Sequence, residues 1–155
     1  MQWIRQLLSY LVTLAAIIAL VTIVPRCARL RVTPDYNDIE KINVDESLNA
    51  DTGVTLTHLA IGDAIAFQVG DKTDGGISLG WVAAMPGDDV SISNKSLMVN
   101  GSKVAHGDPL TVPDRAAVMV PLGHFFVVSD RHQFDSVVYG PLPAAALRGK
   151  LRNLP

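Results

Sequence analysis

The feature that most constrains this chain is a stretch with no charge in it. From Leu7 to Val24 the sequence reads LLSYLVTLAAIIALVTIV, 18 residues without one acidic or basic side chain. As a helix this run is about 27 Å long, close to the roughly 30 Å hydrocarbon thickness of a bilayer. It therefore reads as one membrane-spanning helix, with Trp3 and Tyr10 placed for the headgroup level. A cleavable export signal is the competing reading. The run is longer than a usual apolar signal core, and VPRCARL (24–30) lacks a small-x-small cleavage pattern. The expectation is a retained anchor, with residues 1–31 forming the span and its basic flanks.

The charges divide sharply around that run. Arg5, Arg26, Arg29 and Arg31 are the only charged side chains up to residue 32. Taking those four from the 13 basic residues leaves nine against 15 acidic ones, a net of −6 for the remainder. Arginines flanking an anchor suit anionic headgroups. The acidic remainder speaks against nucleic-acid binding, which needs a basic face. Three arginines after the span and one before it would, by the positive-inside count alone, leave the C-terminal part in the cytoplasm. Cys27 is the sole cysteine, so no internal disulfide is possible, and it reads as an inert interfacial thiol.

Beyond the anchor, residues 32–51 read as a polar connector, a loop with one short helical turn at most. From residue 52 to 155 the pattern is one of short strands. AIAFQV (64–69) and ISLGWVAAM (77–85) are apolar strands on either side of the polar turn DKTDGG (71–76). VSISN (90–94) alternates as a half-buried strand does. SLMVNGSKVA (96–105) is the clearest local signal, because Asn100-Gly101 between two alternating runs specifies a type I′ hairpin. AAVMV (116–120), HFFVVS (124–129) and ALRGKLRNL (146–154) supply further strands. No long helical period follows residue 45, so the domain is mainly β, with short antiparallel strands and Gly/Pro turns.

Four segments in order carry a resemblance: IGDAIAF (61–67), VAAMPGDDVSI (82–92), LMVNGSKV (97–104) and VPLGHFFVVSDRHQFDSVVYGPLP (120–143). Together they resemble the boxes of the type I signal peptidase family, including its plasmid-transfer relatives that mature pilins. The resemblance covers roughly residues 50–150. It implies a serine/lysine peptidase fold behind a membrane anchor. That chemistry needs a serine hydroxyl as nucleophile and a lysine held neutral by burial to take its proton. Small donors complete the oxyanion hole.

Carried over residue by residue, the resemblance finds both catalytic positions changed. Counting back from Gly62-Asp63 puts TGVTLTHL (52–59) on the nucleophile box. Thr52 then matches the first, oxyanion-hole serine and Gly53 matches the glycine. The nucleophile position is Val54, which has no hydroxyl. Counting back from Pro86 puts Gly80 at the lysine position and Trp81 at the arginine after it. In the last box Asp130, Asp135 and Ser136 remain, and Val137 replaces the arginine expected to pair with Asp135. The resemblance thus points to a peptidase fold without its peptidase chemistry, with no catalytic residue. Thr52, Gly53, Val54, Thr55, Gly80 and Trp81 are left as a peptide-binding groove. On this reading Val54→Ser with Gly80→Lys creates no clash severe enough to unfold the domain.

Other sites fare less well. Lys72 sits in the loop DKTDGG beside Asp71 and Asp74, where it stays solvated and protonated. Thr52 and Thr55 read as strand threonines. Ser129, Asp130, His124 and His132 include the residue types of a triad, but alternation puts Ser129 and Asp130 on opposite faces. His58 and His106 read as surface or rim residues. No His/Cys/carboxylate cluster has metal spacing, and no glycine loop cradles phosphate, so neither a metal nor a cofactor is implied.

The expected function is a membrane-anchored, signal-peptidase-like pseudoenzyme. It binds exported or pilin-like polypeptides, or serves as a subunit of a secretion or processing assembly. The alternatives are an active peptidase with a divergent nucleophile and a purely structural protein. By the resemblance the β domain lies outside the cytoplasm, on the periplasmic or cell-surface side, against the arginine count.

Overall fold

The computed structural model describes residues 2–23, 27–31, 39, 42–43, 46–69, 76–130, 134–152 and 154. The uncharged run does form a helix, α1 (Gln2–Ile23). No helix among the described residues is long and apolar enough to cross a membrane, so the expected span is not among the features the structure supplies. Leu7, Leu11, Val12, Leu14, Ile17 and Ile18 of α1 are each more than half exposed, and among the described residues none of the three core clusters includes one from the helix.

Eleven strands follow among the described residues, in two antiparallel sheets. The first has β1 (Cys27–Arg31), β2 (Ser47–Asp51), β3 (Ala64–Phe67), β4 (Ser78–Ala84), β9 (His124–Val128), β10 (Leu142–Pro143) and β11 (Leu147–Arg152). Their order is β1-β2-β11-β3-β4-β9-β10. The second has β5 (Asp89–Ser93), β6 (Ser96–Val99), β7 (Ser102–Lys103) and β8 (Arg115–Met119), in the order β7-β6-β5-β8. A one-turn helix, α2 (Ser136–Tyr139), leads from β9 towards β10.

The inner strands β3, β4 and β9 are buried on both faces, which explains their unbroken apolar runs. One face carries Leu48, Ala50, Ala64, Ala66, Leu79 and Leu151. The other carries Ile65, Phe67, Val82, Phe125 and Val127. A third cluster, with Val90, Ile92, Leu97, Val99, Phe126 and Val128, joins the second sheet to the first. Each fully buried Val, Ile, Leu or Phe contributes about 1.5–3 kcal/mol, so these clusters are the main favourable term.

Every strand read from residue 64 onward is present within a residue or two of its expected bounds. The Asn100-Gly101 hairpin forms with φ of 51° and 77°, the left-handed values a type I′ turn needs. The stretch read as a polar connector needs correcting. β2 lies in it, paired to β1 and β11, with Leu48 and Ala50 in the core. SLNAD is a strand because its two apolar side chains alternate onto one buried face. Cys27, taken as a thiol just past an anchor, is the exposed first residue of β1. The turn Asn94-Lys95 was not anticipated. Both residues have positive φ, 50° and 61°, and they close β5 onto β6 with Ser93 opposite Ser96. Asn94 was the available signal.

Candidate functional site

The candidate site is built on one row of the first sheet. Strand pairing sets Asp51 opposite Lys150, Lys150 opposite Ile65, and Ile65 opposite Gly80. Directly paired residues point to the same face, which here carries the Ile65–Phe67–Val127 cluster. At the end of β2 the chain turns back through Thr52 and Gly53, with the Asp51 carboxylate Oδ1 accepting from the Gly53 N–H at 3.1 Å. Val54 and Leu56 then pack half-buried against that same cluster. The two positions singled out in sequence, Val54 and Gly80, are thus brought to one apolar face.

Position 80 is closed. A Cβ built there would lie 2.7 Å from Val127 Cγ2, 2.9 Å from the Val128 carbonyl oxygen and 3.2 Å from Phe67 Cε1. One neighbour is backbone, which cannot swing aside as a side chain does. Glycine is needed there for close approach rather than for turn geometry. A side chain at 80 therefore does meet a clash, and whether Val54→Ser with Gly80→Lys still folds depends on how far these neighbours can shift. The space a lysine stem would use is filled by Val127, Phe67 and the β9 main chain.

A lysine does lie in the row, two strands away. Lys150 Nζ sits 2.7 Å from Asp63 Oδ2, and an ammonium bound to a carboxylate is a donor, not a free amine ready to take a proton. Lys72 and its neighbours Asp71 and Asp74 lie outside the described residues, as does His132.

Thr52 and Thr55 correct another expectation, since neither is a strand threonine. Thr52 is in the turn after β2, and Thr55 precedes a 3-10 turn over Leu56–His58. Thr55 Oγ1 is 2.8 Å from His58 Nδ1 and 2.8 Å from Thr57 Oγ1. All three are exposed. Beside them, the Arg152 guanidinium bonds Asp51 Oδ2 at 2.5 Å. That bond, then the Gly53 N–H, holds the Asp51 carboxyl below the usual aspartate value, and the charge of His58 adds a smaller push in the same direction.

Trp81 points to the other face of β4 and packs against the two remaining clusters. Its indole lies flat on the His106 ring, with centroids 4.2 Å apart and planes 10° apart. His106 is thus a packing partner joining the loop after β7 to the first sheet, which its isolated place in the sequence did not suggest. Among the described residues the Trp81 Nε1–H is buried without a hydrogen-bond partner. An orphaned donor costs about 1–3 kcal/mol, offset here by the buried ring and its stack.

Among the described residues of the last box, Ser129, Asp135 and Ser136 are buried and hydrogen-bonded. Asp135 is fully buried. Its Oδ2 accepts from the Ser129 N–H at 3.0 Å and the Ser129 hydroxyl at 3.1 Å. Its Oδ1 accepts from the Val137 N–H at 3.0 Å and so caps α2. Ser136 Oγ accepts from the Val127 N–H at 3.0 Å. The serine hydroxyls of this box are thus tied into its packing. Among the described residues, no group of His, Cys, Asp or Glu is placed to hold a metal ion.

The antiparallel β domain and its ordered boxes now stand beside the comparisons. The profile of the family described as signal peptidase, peptidase S26, matches residues 1–154. The chain belongs to the signal peptidase family. Its structure is similar to that of a signal peptidase I from Enterococcus faecalis V583, with 21% identity, a TM-score of 0.48, and coverage of 61% of this chain and 97% of that one. No curated protein matches the chain.

Proposed function

We propose that this chain is a polypeptide-binding member of the signal peptidase family that does not use serine/lysine chemistry. The observation that carries the reading is the closed position at Gly80, where a Cβ meets Val127 and the Val128 carbonyl. Val54, which packs on the same apolar face, has no hydroxyl, so nucleophile and base are missing together. An extended segment of an exported or pilin-like polypeptide would bind along the rim of that packed face, where Thr52 and Gly53 are exposed and Val54 is half-buried. On this proposal α1 anchors the protein in a membrane, supported by its uncharged run and exposed apolar side chains. The β domain then lies on the extracytoplasmic side, alone or within a secretion or processing assembly.

One observation favours a second reading, an active peptidase with a divergent nucleophile. The 2.8 Å contact between Thr55 Oγ1 and His58 Nδ1 is the geometry in which an imidazole takes a hydroxyl proton. The test is labelling of the detergent-solubilised protein with a serine/threonine-reactive probe, alongside cleavage of a signal-peptide or pilin precursor. The first reading expects no label, no cleavage, and precursor binding weakened by Val54→Asp. Label mapped to Thr55 and lost in His58→Ala would replace it with the second.

A further inference from the structure

A cavity of about 170 Å³ lies between β5, β8 and α2, away from the Val54–Gly80 face. Its walls are chiefly Val90, Ile92, Ala116, Val118, Phe126 and Val137. Four of these, Val90, Ile92, Phe126 and Val137, belong to the core cluster between the sheets, so the cavity is held by packed structure. Its size is comparable to cavities of about 150 Å³ that accept a benzene ring, and so suits one branched or aromatic side chain.

Two features say what kind of molecule would enter. Arg115 stands at the cavity, and its Nη1 donates to the Val137 carbonyl at 3.0 Å. That bond fixes the guanidinium and leaves other N–H groups to donate. No carboxylate among the described residues pairs with it. The second feature is the strand itself. β8 is the outermost strand of its sheet, all five of its residues are exposed, and its outer edge pairs with no other strand among the described residues. Between Val90 and Ile92 the register slips, so that Ala116 and Ala117 stand against Ser91 alone. Ala116 of this bulge lines the cavity.

We propose that β8 and this cavity bind the C-terminus of a polypeptide. Its last, apolar side chain fills the cavity, its α-carboxylate bonds Arg115, and its preceding residues lie along the open edge of β8. The charge match selects a carboxylate, and the open edge selects an extended chain over a free acid. The site is separate from the proposed peptide face and stands whether or not that face binds anything.

The test uses the full chain in detergent, with protein-free micelles as the blank. The probe is fluorescein-Gly-Ser-Ala-Val-Leu with a free carboxylate, compared by anisotropy with its C-terminal amide. The free acid is expected to bind about tenfold tighter than the amide. Arg115→Gln removes that difference, Arg115→Lys restores part of it, and Ala116→Leu weakens both peptides by filling the cavity. Equal affinity for acid and amide, or a preference unchanged in Arg115→Gln, overturns the proposal. So does 4-methylpentanoate competing as well as the unlabelled peptide, which would assign the cavity to small free acids. Binding of the precursor in the same samples is expected to be unchanged, which separates failure here from failure of the proposed function.

Discussion

Two parts of this molecule use buried space differently, the network at Asp135 and the packing at Gly80. At the Asp135 box, polar side chains stay fully buried and bonded, and the carboxylate ties Ser129 on one side to Val137 on the other. At Gly80 there is no side chain, and Val127, Phe67 and the β9 main chain occupy the room. The difference separates two burdens on the same sheet. The Asp135 carboxylate ties the end of β9 to the start of α2, and removing it would strand buried donors. At Gly80 close apolar packing does the holding instead.

The largest effect should come from breaking the retained box. Asp135→Ala leaves the Ser129 N–H, the Ser129 hydroxyl and the Val137 N–H without their acceptor. At about 1–3 kcal/mol for each stranded group, with some relaxation, the expected loss is about 3–5 kcal/mol in urea unfolding. A loss below about 1 kcal/mol would show that the box is not what holds α2, and the contrast would collapse.

The packing at Gly80 should respond to addition instead of removal. Gly80→Ala is expected to cost about 1–3 kcal/mol, the usual range for overpacking. Val127→Ala in the same chain should recover only part of this, because the Val128 carbonyl is backbone and stays. Full recovery would mean that the closure is due to one movable side chain. Val54→Ser with Gly80→Lys should gain no probe labelling at any protein concentration at which it folds.

The junction of the two sheets gives a smaller effect. His106→Ala removes the face of the Trp81 stack, an interaction of about 0.5–1.5 kcal/mol. The loss should appear in unfolding and as a shift of the Trp81 emission, read against a Trp3→Phe background. An unchanged spectrum would leave the loop after β7 without a part in joining the sheets.

The smallest effect is expected at the rim, from the Asp51–Arg152 pair. The Asp51 carboxyl is held below its usual value, so the pair stabilises the fold above about pH 4. That contribution is lost as the pH falls through the depressed folded-state value. Asp51→Asn should flatten the acid side of the stability profile and leave neutral stability nearly unchanged. An identical profile in the variant would show that the exposed pair is screened to nothing.

Much of this was legible in the order of residues. The strands from residue 64 onward announced themselves because their periods and turn residues are local properties. Asn100-Gly101 forms its hairpin through backbone preferences that no distant contact has to supply. The absence of a hydroxyl at Val54 and of a side chain at Gly80 could also be read directly. β2 could not be. In SLNAD only Leu48 and Ala50 are apolar, and they become core only because β11 arrives from the far end of the chain to pair with them. The Trp81–His106 stack, the Thr55–His58 contact and the cavity under Arg115 likewise join residues whose meeting depends on turns and sheet order. The sequence by itself determined the strand pattern, the tight turns and the absence of a hydroxyl at Val54 and of a side chain at Gly80, since each follows from one residue and its neighbours. Only the tertiary structure decided that the space at Gly80 is closed, because that depends on how near β9 comes to β4, a distance set by the packing of the whole sheet.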